Sequence, residues 1–240
     1  MNFRREWDNN RHHKYPLAKW VSNAEMLQAV VQESRGLGVQ GTVVDLGCGL
    51  GHVAAAFLSV ASRCIGVDFD RNMLNQALSP DKIQYINSRI EEIRGLTADA
   101  VVARNVMHYV PEHGLFWAVK RILKPGGIFV LCQAIPPSTR ARSWHASMHD
   151  ILGVNHAPSC DDIVTYFRLH GFSDICSRFN FCRMNVGEWL EARVDSPEKR
   201  AAVLEHHKQL NKLPEFEPDF SVEGIEVTVR FAIVSGLWCP

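Results

Sequence analysis

Two carboxylates and a run of glycines carry the most legible chemistry in the chain. Asp45 is followed by Leu46-Gly47-Cys48-Gly49-Leu50-Gly51. Glycines at alternating positions let the backbone take left-handed angles and bring bare amides against a ligand at a helix N-terminus. Asp68 stands roughly 20 residues beyond the first glycine, at the end of a second apolar run, where open α/β sheets place the carboxylate that binds ribose hydroxyls. A ligand containing a nucleoside is therefore expected. The glycines do not follow the G-x-G-x-x-G spacing that leaves room for a pyrophosphate. An acid immediately before them would repel phosphate but suits an ammonium or a sulfonium.

Three elements must position these groups. Val43 to Leu46 reads as a buried strand, His52 to Ala61 as a helix of small residues, and Arg63 to Phe69 as a second strand ending in Asp68. Strand, tight turn, helix and strand make one βαβ unit, so the fold class expected is α/β with a doubly wound, mostly parallel sheet. Asp70 can cap a helix over Arg71 to Leu78. Ahead of the glycines, Met26, Leu27, Val30 and Val31 recur at helical spacing between Ser22 and Arg35.

At these motifs the sequence resembles the class I S-adenosylmethionine-dependent methyltransferases, whose first motif is an acidic residue, an apolar one and then G-x-G-x-G. Later segments share the likeness: the strand Asp99 to Asn105, the helix from Pro111 to Leu123 closed by Lys124-Pro125-Gly126-Gly127, the strand Ile128 to Cys132, and a helix ending at Gly171-Phe172 before a strand. The resemblance implies a seven-stranded Rossmann-like sheet with S-adenosyl-L-methionine as cofactor and S-adenosyl-L-homocysteine as product. It implies cofactor contacts from Tyr15, Asp45, Gly47, Cys48, Gly49, Asp68, Phe69, Met73, Arg89, Ile90 and Arg104. One position departs from the pattern. Arg89 stands where the family usually offers an acid to the adenine amino group, and an arginine is a donor only. Either Glu91 substitutes or backbone at Ile90 holds the purine. The fourth strand's end would lie beside the transferable methyl, which makes Asn105 and His108 pocket residues and His108 either a general base or a wall.

Past the fifth strand, Ile135-Pro136-Pro137-Ser138 is read as a rigid passage into a lid, since the proline pair of DNA amino-methyltransferases would end the fourth strand and precede an aromatic residue. Trp144, Met148, Ile151 and Leu152 then mark an apolar helix face with His145 and His149 four apart beside it. Such a pair is a solvated surface pair, a metal chelate lacking a third ligand, or groups that orient or deprotonate a substrate. No metal is expected. Asn185 to Val194, with Trp189 on its inner face, and a helix begun by Ser196-Pro197-Glu198 lie between the last two strands, Ile175 to Phe181 and Ile225 to Ile233. Residues 137–156 and 185–222, with an N-terminal arm over 1–20, are expected to roof one domain, and Trp144 and Trp189 to face a flat or partly apolar acceptor. The arm could equally be a solvated terminus.

Composition bounds the partners. In 240 residues, Lys and Arg number 26 and Asp and Glu number 26, so no broad positive field would gather nucleic acid. No run approaches the roughly 18 apolar residues of a membrane span. Seven cysteines without a C-x-x-C pair argue against disulfide or zinc frameworks. The expectation is a cytoplasmic enzyme, monomer or homodimer, methylating a small molecule at oxygen, nitrogen, sulfur or carbon. The rival is a protein that binds the cofactor without methyl transfer, as accessory subunit or rearrangement catalyst; a nucleic-acid methyltransferase ranks third.

Overall fold

The structure, a computed structural model, describes residues 20–34, 41–194, 196–222 and 224–240. Its sheet has the order β3-β2-β1-β4-β5-β8-β6. The strands are β1 (Thr42–Leu46), β2 (Arg63–Asp68), β3 (Ile83–Asn87), β4 (Ala98–Arg104), β5 (Leu123–Ile135), β6 (Phe172–Asn185), β7 (Asp219–Ser221) and β8 (Gly224–Trp238). The first five pair in parallel, and β8 runs antiparallel between β5 and β6. Short β7 pairs with the start of β8, adding an eighth strand to the seven expected. Chain order reverses between β1 and β4. Ligands of open α/β sheets lie beyond the strand ends at such a switch point.

Both faces of the sheet are covered, because its strands are apolar on both sides. On one face α1 (Ala24–Gln32) and α2 (His52–Phe57) pack Met26, Val30, Val53 and Phe57 against Val43, Val102 and Val130. Asn23 caps α1 by accepting the Met26 amide at 2.8 Å. On the other face α4 (Glu112–Ile122) and α6 (Cys160–Leu169) deliver Leu115, Phe116, Ile163 and Phe167 to Leu46, Val101 and Phe129. The rings of Phe116, Phe129 and Phe167 lie 5.1 to 5.4 Å apart. Such contacts add to plain area burial.

A third apolar cluster belongs to α5 (Arg142–Leu152), α7 (Val186–Arg193), α8 (Pro197–His207) and the 3₁₀ turns after it. Trp144, Met148, Trp189, Val203, Leu210 and Phe216 meet Val227 of β8 there. Long strands make this layer possible. β6 and β8 run to 14 and 15 residues, well beyond the alternation that marks them in the sequence, and Val227 and Val229 at the start of β8 pack under the helices.

Two local expectations change. The helix capped by Asp70, α3, covers only Arg71–Leu74 rather than reaching Leu78. The Leu78 amide is instead used by the carbonyl of Leu50 in the glycine loop. Lys124-Pro125-Gly126-Gly127 is not a turn before the strand but a bulge within β5, where the register steps from Ala98↔Leu123 to Ala100↔Ile128. The left-handed Gly126, φ 77°, permits it. No helix among the described residues is long and apolar enough to cross a membrane. Tyr15 and the arm, apart from Trp20, lie outside the described residues.

Candidate active site

The glycine loop is built on two acids. Asp45, 1 % exposed at the end of β1, accepts the Ala54 amide of α2 through Oδ2 at 3.1 Å and so fixes helix to strand. Asp68, at the end of β2, accepts the Gly49 amide through Oδ2 at 2.8 Å and the Asp70 amide through Oδ1 at 2.9 Å. Gly47 has φ 72°, and a Cβ there would fall 2.5 Å from Val106 Cγ1. Only glycine fits both the angle and the space. Burial raises the Asp45 carboxyl to about 7; the Ala54 amide opposes the shift, neighbouring Asp68 adds to it, and Arg104 opposes it. Burial raises Asp68 too, and the Asp70 and Gly49 amides restrain it.

Arg104, at the end of β4, donates to the carbonyl oxygens of Val21 at 2.8 Å and Trp20 at 2.9 Å. It thereby pins the segment before α1 against the strand ends, while its own Nε is buried without a partner. Asn105 follows with φ 55°, a left-handed angle that asparagine tolerates, and its Oδ1 accepts the Ala134 amide at 2.9 Å. A cleft of about 400 Å³ results, lined by Asp45, Gly47, Cys48, Gly49, His52 and Arg104 among others.

A second cleft of about 710 Å³ opens beside it, and Trp20 and Asn105 line both. Its walls are mostly apolar, with Trp144, Met148, Trp189, Phe216 and Phe231 prominent. The polar lining consists of Asn105, four histidines (His108, His145, His149, His207) and two arginines (Arg193, Arg230); no Asp or Glu is among the described lining residues.

The hydrogen bonds assign the imidazoles. The Nδ1 of His149 meets the Asn155 carbonyl at 2.6 Å, and that of His207 meets the Val203 carbonyl at 2.7 Å. Both nitrogens must therefore carry the proton and donate, because a carbonyl only accepts. In His108 the Nε2 lies 3.1 Å from the Gln133 Nε2. Gln133 Oε1 accepts the Met107 amide, which orients the carboxamide so that its NH₂ donates to His108. The proton of His108 is thus on Nδ1, which has no partner among the described residues, as is true of Nδ1 of His145. Burial, then Arg193, holds His108 well below the usual imidazole range. Burial also lowers His145 to about 3, His149 to about 4 and His207 to about 4.

Several expectations for the site are corrected. His145 and His149 do not lie on a solvated helix face, being 7 % and 3 % exposed, and neither is an unperturbed imidazole able to take a proton near neutral pH. His108, offered as a base, has its lone pair occupied by Gln133. Phe69 is 49 % exposed and Arg89 is also exposed, and neither lines the clefts. The structure brings Asp45, Gly47, Cys48, Gly49 and Arg104 into the smaller cleft and Asn105, His108, Trp144, His145, His149 and Trp189 to the larger. Asp68 and Met73 flank the loop through Gly49, while the Ile90 side chain is in the core. Gln133, Arg193, His207 and Arg230 went unseen as site residues, since each sits in an apolar run or on a helix whose other residues explain it.

A sequence model described as a methyltransferase domain matches residues 44–131, from β1 into β5. Over 121 residues the chain is 30% identical to the ubiquinone biosynthesis O-methyltransferase of Rhodopseudomonas palustris (strain TIE-1), covering 48% of this chain and 46% of that protein. The matched region is similar to the class I S-adenosylmethionine-dependent methyltransferases. The chain spans about half the length of the curated relatives it matches. Among solved structures, the fold is shared with the YcgJ protein of Bacillus subtilis at TM-score 0.76 and 16% identity, over 90% of this chain and 99% of that one. It is also shared with phosphoethanolamine N-methyltransferase 2 of Haemonchus contortus, solved with S-adenosyl-L-methionine, at TM-score 0.66 and 16% identity, over 100% of this chain and 60% of that one. S-adenosyl-L-methionine, the cofactor of these similar proteins, suits the smaller cleft. A cationic sulfonium or ammonium answers the buried Asp45, and a carboxylate answers the Nε of Arg104, which has no partner among the described residues.

Proposed function

We propose that the protein transfers the methyl group of S-adenosylmethionine to a small organic acceptor held under the α5, α7 and α8 lid. The observation that carries this reading is the junction of the two clefts at Asn105 and Trp20. The smaller cleft holds the cofactor, with Asp68 accepting from the ribose and Asp45 facing the positive end. When bound, the cofactor supplies an electrophilic methyl for in-line displacement. The chain then has to align the acceptor and exclude water, which is worth up to roughly 7 to 11 kcal/mol in favourable cases.

The histidines orient more than they deprotonate. His108 presents an N–H donor to the larger cleft, and His149, its proton held on Nδ1 by Asn155, keeps the Nε2 lone pair to accept from an acceptor hydroxyl. A hydroxyl acceptor, as in the O-methyltransferase relative, suits that pair of roles. Tryptophans 144 and 189 give its carbon frame an apolar wall.

Calorimetry with S-adenosylhomocysteine, for wild type and Asp68→Ala, tests the reading. The variant should lose about a hundredfold in affinity, since hydrogen bonds to a charged group are worth about 1.5 to 3 kcal/mol each. Absence of binding by the wild type, or undiminished binding by the variant, would sink it. Binding of the product also separates methyl transfer from a rearrangement scaffold.

A further inference from the structure

Charge in the larger cleft is unbalanced. Three arginines outside it face acids, Arg142 with Asp162, Arg178 with Glu33 and Arg183 with Glu226, while Arg104 bonds backbone carbonyls. Arg193 and Arg230 line an apolar cleft, and no carboxylate among the described residues lies within ion-pair distance of either. Arg193 makes one hydrogen bond, to the Tyr109 hydroxyl at 2.5 Å, and its guanidinium carbon is 5.8 Å from the centre of the Trp189 ring. Arg230 gives one N–H to the Pro137 carbonyl at 2.8 Å and stacks 3.6 Å over Phe179, leaving its Nε buried without a partner. A guanidinium has five donors, so each retains several.

The remaining polar atoms point the same way. His108, 4 % exposed and lining the cleft, has an Nδ1–H with nothing to donate to. Removing charge from water without a partner is costly, and two guanidinium groups with no carboxylate facing them are completed by a negatively charged oxygen group. A cationic acceptor would meet two like charges here and no acid.

We propose that the acceptor is an apolar, ring-bearing organic anion whose negative group is held by Arg193 at the wall of the larger cleft. This rests on the assignment of that cleft to the acceptor. Arg193 is the anchor because its guanidinium lies 5.8 Å from the centre of the Trp189 ring that would carry the acceptor and close enough to His108 to disfavour a charge on that imidazole. Arg230, stacked on Phe179 across the cleft lining, reinforces the positive field. The guanidinium fork matches a carboxylate oxygen pair.

The test uses one ring system with three charges: 2-naphthoate, 2-naphthamide and 2-naphthylmethylamine, titrated into the full chain by calorimetry with and without S-adenosylhomocysteine. Naphthoate should bind at least about tenfold more tightly than the amide or the amine, the order expected for a charge-assisted pair. The preference should vanish in Arg193→Gln and persist in Arg193→Lys. Equal binding of the three, tighter binding of the amine, no binding of any, or a preference surviving in Arg193→Gln would each overturn the proposal. The charge series on the unaltered protein decides even if a variant fails to fold. Loss of S-adenosylhomocysteine binding would instead overturn the functional reading, and the series without cofactor separates the two failures.

Discussion

The carboxamide of Gln133, in the middle of β5, donates to Nε2 of His108 at 3.1 Å and so decides which nitrogen of that imidazole carries the proton. Gln133 is wholly buried. A histidine that the sequence leaves as either a general base or a wall of the pocket thereby carries its proton on Nδ1. The consequence is checkable without an acceptor. In Gln133→Leu the Nε2 lone pair is freed, and ¹⁵N shifts of His108 should move from one Nδ1-protonated tautomer to a mixture. A single unchanged tautomer would show that Gln133 does not set it.

Asp45 couples stability to cofactor binding. Its carboxyl is raised from 3.8 to about 7, so the folded state favours the protonated form, and this contribution to stability declines as pH rises from about 4 through 7. Asp45→Asn keeps an acceptor for the Ala54 amide and removes the buried charge. Its melting temperature should therefore exceed that of wild type by a margin that grows from pH 4 to about 7 and is flat above. Its affinity for S-adenosylhomocysteine should fall by about tenfold or more, as for loss of one charged partner. A variant less stable at pH 8 would contradict the assignment.

Cofactor binding should itself depend on pH for the same reason. A cation beside Asp45 favours the carboxylate against the opposing influence of burial and Asp68, and Arg104 already acts in that sense. Affinity for S-adenosylmethionine should therefore rise with pH up to about 7, with proton release on binding near pH 6.5. Calorimetry in buffers of different ionisation enthalpy measures that release. No released proton in wild type, or an equal one in Asp45→Asn, would rule this out.

The lid should loosen in acid. His145, His149 and His207 are held at about 3, 4 and 4 against 6.5 for a free imidazole, chiefly by burial, with Arg193, His156 and His206 adding positive charge and Asp150 opposing at His149. Depressed values stabilise the fold above pH 6.5, and that stability is lost as pH falls towards 4. One pH unit is worth about 1.4 kcal/mol per histidine. Amide exchange in α5 and α8 should quicken by about tenfold or more between pH 7 and 5 relative to β4. Uniform exchange would dismiss the idea.

Arg104→Met removes the two bonds that hold the carbonyls of Trp20 and Val21. Trp20 lines both clefts, so the variant should weaken S-adenosylhomocysteine binding by about tenfold, a loss on the scale of one or two hydrogen bonds to a charged group. Its melting temperature should change little. Full affinity would show that the segment before α1 is held by other means.

The glycine loop was readable because backbone geometry demands its residues. A left-handed loop needs glycines, and the acids at the ends of β1 and β2 hold it through the Ala54 and Gly49 amides, so Asp45, Gly47, Gly49 and Asp68 stand out against any background. Sheet and helices followed from apolar runs and periodicity. The acceptor half was less legible. Trp144 and the His145–His149 pair were visible, but a four-residue spacing does not say whether a helix face meets water or other helices, and here the answer came from α8 and Phe216. Gln133 lies in an apolar strand, and Arg230 alternates with buried residues along β8; what gives them roles is who faces them across the fold.

The matched methyltransferase region stops at residue 131, one residue before Cys132, and most of the larger cleft is contributed after that point. Among the described residues, only Trp20, Asn105 and His108 reach it from the earlier chain. The two clefts therefore have nearly separate genetic addresses. On the proposed assignment of the clefts, exchange of the α5 and β6-to-β8 segments would alter the acceptor cleft and leave the glycine loop of the smaller cleft as it is. Asn105, tied by its side chain to Ala134, is the hinge pin at which any such exchange must keep its register.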